Sequence, residues 1–514
     1  MVRDARIVDG SGEPPFRGSV GVAGDRIVWT GDDDAPDAAR TIEAAGRVAC
    51  PGFVDVHNHS DLSAFVDPWM RSTLRQGVTT VVVGNCGASP WPLAGWKEGV
   101  LLASGDPEAM PRPGWRSWGD YLDALDTALP AVNVATLIGH GSLREEAMGT
   151  ERRPPTAADL DAMRRMAEGA VREGAFGLST GLVYVPGVHA ATGELVAVAK
   201  TVASAGGLYA SHIRGEGAHL FRAVDEAIEI GRRAEVPAHV SHLKCESEHA
   251  WGRTEELLSR FHGPDDVTAD QYPYPAWNSS LASLLPPWVP VHELPAWQGS
   301  ERLRLAVEQG ESDFQSSVHG VGWDAITIVR TAESTWNGRD VAAIAADMKV
   351  EPFDAMVALL EADPDTSCIG HAMREEDVRA ILADPDVFVA SDASAISPEG
   401  PAGSLPVHPR EYGTFPRVLA RYVRDEPVLT LEQAVRKMTS LPAQRFGLTG
   451  RGRLEMGAFA DLVVLDAATV ADTATFDAPH SYPVGIDMVV VNGRIAWDGN
   501  WRERAGRALR RGIG

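Results

Sequence analysis

Eight short apolar runs separated by helix-like stretches set the tightest limit on how this chain folds. The runs are 54–59, 80–86, 134–140, 176–180, 208–212, 238–242, 267–272 and 387–392, five to seven residues each, which is strand length. Between them, 156–173 and 220–234 carry helical periodicity, the first opened by Thr156 with Asp159 three residues on, a capping-box-like start. Strands alternating with helices predict an α/β fold, a (β/α)8 TIM-like barrel; a doubly wound open sheet is the alternative that the same alternation permits.

The two ends have a different texture. Residues 1–50 read as short strands with tight turns, among them Arg26-Ile27-Val28-Trp29, and similar strands return at 460–466 and 488–496. We expect 1–50 and 445–514 to pair into one small β-sandwich domain, with 51–444 forming the barrel. The opening at Met1-Val2-Arg3 is abrupt, as though part of a first strand were missing. Residues 280–350 break the barrel rhythm with Pro286-Pro287-Trp288-Val289-Pro290, Trp297, Trp323 and Trp336. This stretch reads as an insertion over the barrel mouth, either a lid or a plain surface excursion.

Charge narrows the partners. With 71 acidic against 47 basic residues the net charge is -24, which repels polyphosphate backbones and anionic bilayers, so neither nucleic acid nor a membrane is expected. The four cysteines, Cys50, Cys86, Cys245 and Cys368, make no disulfide framework and no Cys-x-x-Cys pair. The N-terminus carries no apolar stretch of signal-peptide length, and a cytoplasmic location is the expectation.

In such barrels chemistry collects at the C-terminal ends of the strands. His57 and His59, with only Asn58 between them, share a strand face and aim two imidazoles at one point; a chance pair on a half-buried strand is the plainer alternative. Cys86 ends the second run, where a thiolate could bind zinc, although a free cysteine is more often inert packing. His212 and His242 close two runs of one design, Ala210-Ser211-His212 and Val240-Ser241-His242. Neutral imidazole binds zinc, and three protein ligands plus water make a catalytic zinc site. His239, an odd number of residues before His242, is expected to face the helices and to be structural. Asp392 ends the eighth run, beside the first in a closed barrel. There it could accept a proton from activated water, pass it to a leaving group and itself ligate a metal; capping the following loop is the ordinary use of such a residue.

These residues sit in longer motifs. Pro51-Gly52-Phe53-Val54-Asp55-Val56-His57-Asn58-His59, Gly84-Asn85-Cys86-Gly87, Gly181-Leu182-Val183-Tyr184-Val185-Pro186-Gly187, Ser211-His212-Ile213-Arg214-Gly215-Glu216-Gly217, Ser241-His242-Leu243-Lys244, Asp270-Gln271-Tyr272-Pro273-Tyr274 and His408-Pro409-Arg410 follow one another. With the C-terminal stretch from Arg451-Gly452 to Ala460-Asp461-Leu462-Val463 they span nearly the whole chain. Each is weak to moderate alone; in this order they resemble the amidohydrolase superfamily, and within it the D-aminoacylase (N-acyl-D-amino-acid deacylase) family.

The resemblance implies a zinc-dependent hydrolase that cleaves the amide of a small N-acyl-D-amino acid to a D-amino acid and a carboxylate, with Asp392 as general acid/base. It implies one tightly bound Zn2+ on Cys86, His212 and His242, and a second, weaker site at His57 and His59. Cys86 would stand where many superfamily members place a carboxylated lysine after the fourth strand, and Leu178-Ser179-Thr180-Gly181-Leu182 offers no lysine there. Lys244, on the same side as His242 if the strand persists, is expected to hold the substrate carboxylate. Tyr184 and Arg410 match family positions of substrate contact. Tyr272 and Tyr274 alternate along strand seven and are expected to line the pocket, with Ser279 and Ser280 at a family-like distance.

Some positions depart from the family pattern. Ala393 replaces a usual glycine after Asp392, the loop to Arg410 is longer, which bears on its reach, and Trp277 and Asn278 fill a stretch that is usually small and hydroxylic. Three other readings stay open: a dipeptidase for dipeptides with a C-terminal D-residue, a cyclic amidase of the hydantoinase or dihydroorotase type, which a lysine after strand four would favour, and a non-catalytic binding relative, which loss of Asp392 or a ligand would favour. Oligomeric state is not fixed by the sequence.

Overall fold

The computed structural model describes residues 1–512 apart from 32–34, 94–95, 97–99, 101–102, 105 and 107–108. Its centre is a parallel sheet hydrogen-bonded in chain order: β1 (Phe53–Asp55), β2 (Val78–Val83), β3 (Asn133–Gly139), β4 (Gly177–Gly181), β5 (Leu208–His212), β6 (Ala238–Val240), β7 (Val267–Gln271) and β8 (Val387–Val389). The two edges meet just past the strand ends. Asp392 N–H donates to the His57 carbonyl and His59 N–H to the Ala393 carbonyl, both at 2.8 Å. A doubly wound sheet would reverse its strand order at a switch point and keep open edges, so that alternative falls.

Residue parity explains the packing. Val54, Val56, Val82, Ala135, Leu137, Leu208, Ala210, Phe388 and Ala390 form one cluster with Phe446 and Leu448, filling the barrel interior. The intervening Val81, Val83, Val134, Val240, Ala269, Val387 and Val389 pack outward on the helices. Because both faces are buried, the strands read as near-continuous apolar runs. The helix Ala157–Arg172 starts where Thr156 and Asp159 form a reciprocal capping box and buries Met163, Ala167, Ala170 and Val171 on one face. Burying a side chain such as Met163 contributes about 1.5–3 kcal/mol.

Strands from both termini share a second sheet, ordered Arg494–Trp497, Ile486–Val491, Leu462–Leu465, Val48–Pro51, Val2–Ile7, Phe16–Ala23 and Arg26–Gly31. Val48–Pro51 pairs antiparallel with Leu462–Leu465, so the two ends of the chain meet at this ladder. Ala49, Leu462, Val464, Met488 and Val490 face the sheet's own core, while Val48, Cys50, Val463, Leu465, Val489 and Val491 turn to the barrel's outer core. Between β7 and β8 a three-stranded sheet of Trp277–Ser280, Ser367–Gly370 and Ile326–Arg330 carries its own apolar cluster, including Leu281, Leu303, Ile328, Ile344, Phe353 and Cys368. This unit sits on the loops after the barrel strands: Gln315 Oε1 accepts from Gly217 N–H at 2.9 Å and His219 N–H at 3.1 Å.

At β2, β6 and β8 the ladder stops two or three residues short of Cys86, His242 and Asp392. All three adopt left-handed backbone, with φ of 51°, 35° and 52°. Such angles cost non-glycine residues energy and occur at functional sites, where the surrounding structure enforces them. Among the described residues no helix is long and apolar enough to cross a membrane.

Candidate metal centre

The turns after the strands bring six side chains to one point. Cys86 Sγ lies 3.6 Å from His212 Nδ1 and 3.5 Å from His242 Nε2. Sulfur at about 2.3 Å and nitrogen at about 2.0–2.1 Å from one tetrahedral zinc stand about 3.5 Å apart, so each imidazole lies at a zinc-compatible distance from the sulfur. His57 Nε2 is 3.3 Å from the same sulfur and 3.4 Å from Asp392 Oδ1, and His59 Nε2 is 3.1 Å from that oxygen. The donor atoms of His57, Cys86, His242 and Asp392 all fall within 4.8 Å of one another. Asp392 therefore contacts both histidines that follow β1, beside the Cys86 cluster.

Close approach makes room for the sulfur. A Cβ on Gly181 at the end of β4 would stand 2.0 Å from the Cys86 carbonyl oxygen, so only glycine lets the two backbones meet. Burial pushes the Cys86 thiol up, but the His57 charge and hydrogen bonds from His212, His242 and His57 outweigh it and hold the group well below its ordinary value. The thiolate is the metal-binding form. Asp392 behaves likewise: burial raises it, while Arg410 and then His59 bring it well below the usual carboxylate range.

A buried polar layer fixes the ligands. Asp270 on β7 accepts from His242 N–H through Oδ1 and from His239 Nε2 through Oδ2, both at 2.8 Å, and Oδ2 lies 3.5 Å from His57 Nδ1. Glu216 Oε1 lies 2.9 Å from His242 Nδ1, leaving Nε2 to point at the sulfur. Asp55 accepts from Ser391 N–H and Oγ–H and, at 2.9 Å, from Asn58 Nδ2, tying β1 to the turn that carries Asp392. Partners of this kind hold the tautomer and orientation of metal ligands and typically set 10–100-fold in affinity. Glu216→Gln is expected to weaken zinc binding by about that factor with the fold retained, measured by competition with a chelator. Sequence reasoning passed over Asp55, Glu216 and Asp270. At Asp55 and Asp270 the available signal was a lone carboxylate inside a strand-like run, since a buried charge requires partners; Glu216 carried none.

Other expected residues scatter. Arg410 reaches the centre despite the long loop, its Nη1 2.8 Å from Asp392 Oδ2. Lys244 is buried on the His242 side, its Nζ 2.6 Å from Glu216 Oε1. The Tyr272 ring lies between these cations, 5.5 Å from Lys244 Nζ and 4.9 Å from the Arg410 guanidinium carbon. The Tyr272 hydroxyl and Arg410 Nε are buried without a protein partner, and orphaned donors of this kind favour a polar ligand. Tyr184 packs its ring 4.9 Å from that of His212 and places its hydroxyl 3.4 Å from Ser279 Oγ.

Two further expected residues and His239 take the following places. Tyr274 packs against His408 and Arg417, and with Lys244 and Tyr272 it lines a small cavity. Ser280 caps the next turn, accepting from Ala282 N–H at 3.2 Å. His239 faces the barrel interior, stacked on Phe388, because the left-handed turn at His242 breaks the parity count between them.

The sequence profile of the amidohydrolase family matches residues 40–275 and 339–496. The chain is 38% identical to a D-aminoacylase of Alcaligenes xylosoxydans xylosoxydans, covering 99% of this chain and 97% of that one. It is 39% identical to an N-acyl-D-glutamate deacylase of the same organism, covering 99% and 96%. A crystal structure of N-acyl-D-glutamate deacylase from Bordetella bronchiseptica, complexed with zinc and a phosphonate inhibitor that mimics the tetrahedral intermediate, superposes with a TM-score of 0.83 at 35% identity, covering 99% and 98%.

Proposed function

The chain belongs to the amidohydrolase family, among the D-aminoacylases and N-acyl-D-amino-acid deacylases, and from this premise we propose that Cys86, His212, His242 and Asp392 make it a zinc-dependent hydrolase of N-acyl-D-amino acids. The observation that carries this reading is the convergence of two imidazoles on the Cys86 sulfur at zinc-compatible spacing, with the Asp392 carboxylate beside them.

Cys86, His212 and His242 would hold the tight ion, and His57, His59 and Asp392 would supply the donors of a weaker second one. Zinc bound there would supply Lewis-acid polarisation of the acyl carbonyl and lower the pKa of water toward about 7. Asp392 Oδ1 takes the proton of the attacking water. The same carboxyl then returns it to the departing nitrogen, without which an amide nitrogen is a very poor leaving group. Arg410 at Oδ2 fixes the carboxylate so that Oδ1 faces His57 and His59. Lys244, Arg410 and the Tyr272 hydroxyl are the groups suited to the substrate's α-carboxylate, and Tyr184 with Ser279 to the acyl side.

The cyclic amidase reading loses its support at β4. This strand ends in Thr180 and Gly181, with Thr180 Oγ1 donating to Ser211 Oγ at 2.9 Å and no lysine at hand. Four free cysteines fit a reducing, cytosolic setting.

A panel of N-acetyl D- and L-amino acids, with dipeptides carrying a C-terminal D-residue, tests the proposal on zinc-loaded enzyme. D-substrates are expected to exceed their L-counterparts by about a hundredfold or more in kcat/KM, the scale set when a mirror-image side chain misplaces the amide. Absence of hydrolysis across the panel would sink the reading; faster turnover of the dipeptides would make the enzyme a D-dipeptidase.

A further inference from the structure

Away from the catalytic cluster, two histidines 70 positions apart in the chain meet at the surface. His249, in the loop after β6, places Nε2 3.3 Å from Nδ1 of His319, which belongs to the unit between β7 and β8. The ring centroids are 4.8 Å apart and the planes are inclined at 58°. A head-on hydrogen bond of that length would set the centroids more than about 5 Å apart. The closer spacing shows that the two rings do not meet head-on. Two nitrogens at about 2.0–2.1 Å from one tetrahedral metal stand about 3.3–3.4 Å apart, which is the spacing found.

The surroundings hold this geometry. Ser316 and Val318 are buried, and His319 N–H donates to Ser316 Oγ at 3.0 Å, so the loop that presents His319 is anchored. Gln315 on the same loop binds Gly217 and His219 and donates to Glu246 Oε2 at 2.8 Å. Glu248 runs alongside, its Cγ 2.9 Å from where a Cβ on Gly320 would stand, and contributes negative charge. Imidazole donors select zinc, nickel or copper over magnesium and calcium.

We propose that His249 and His319 form a separate surface site for a divalent transition-metal ion, and that the ion clamps the unit between β7 and β8 onto the loop that follows His242. The site is independent of the deacylase reading.

The test uses untagged, zinc-loaded enzyme dialysed against Ni2+, with bound Ni2+ and Zn2+ counted per chain for wild type, His249→Ala, His319→Ala and His319→Gln. Each variant is expected to bind one Ni2+ fewer than wild type, with zinc content and basal hydrolysis unchanged. Binding at His57 and His59, or at the His262, Asp384 and Asp386 cluster, is common to all four proteins and cancels in the difference. His319→Gln keeps a hydrogen-bonding side chain, so its loss of Ni2+ cannot be laid to misfolding. Equal Ni2+ counts in wild type and variants would overturn the site. Ni2+ should also slow proteolysis within 281–366 in wild type alone; equal protection of the variants would overturn the clamp.

Discussion

Asp392→Asn is expected to lower kcat about a thousandfold while one zinc per chain stays bound. The substitution keeps the shape of the side chain and an oxygen for Arg410, but removes the only group placed to carry a proton between water and the leaving nitrogen in the proposed scheme. General acid/base catalysis contributes 10²–10⁴-fold, and a thousandfold is about 4 kcal/mol at the transition state. Because the lost interaction is made in the transition state, KM should change little. The variant also leaves Arg410, 3% exposed, without its counter-charge, so thermal unfolding is read alongside. If kcat falls less than tenfold with zinc retained, Asp392 is not the proton carrier.

Cys86→Ala should act one step earlier. Removing the sulfur leaves His212 and His242 alone on the tight ion, and two imidazoles do not close a catalytic zinc site. Zinc is expected to fall from one equivalent to under about a tenth after dialysis, and kcat/KM at least a thousandfold with it. The other thiols supply the control. Burial pushes Cys245 up to about 12 and Cys368 higher still, with no neighbour to stabilise a thiolate at Cys368. Cys368→Ala should therefore keep its zinc and its rate. Full zinc occupancy in Cys86→Ala, measured by elemental analysis, would remove Cys86 from the ligand set.

The residues that converge at the barrel mouth were legible in the sequence because each stands at or just past the end of an apolar run, and in a parallel barrel such ends converge on one face. His212 fell on its strand as counted, since β5 ends at His212 itself. The counting failed beyond the ladder at His239, which was assigned by parity across a strand end, where the backbone reorients at the left-handed His242. Asp55, Glu216 and Asp270 were passed over for another reason. Their task is to bond other side chains, and nothing in local spacing reveals a partner contributed by a different strand.

The sequence by itself determined the strand and helix alternation, the capping of the helix that begins after Thr156, and which residue types gather at the C-terminal mouth. These depend on periodicity and local hydrogen bonding, which act over a few residues. Only the tertiary structure decided that β8 closes on β1, that Arg410 reaches Asp392, and that His239 turns inward to Asp270. Those outcomes rest on contacts between segments far apart in the chain, whose geometry is set by barrel closure and by the packing of buried charges against one another.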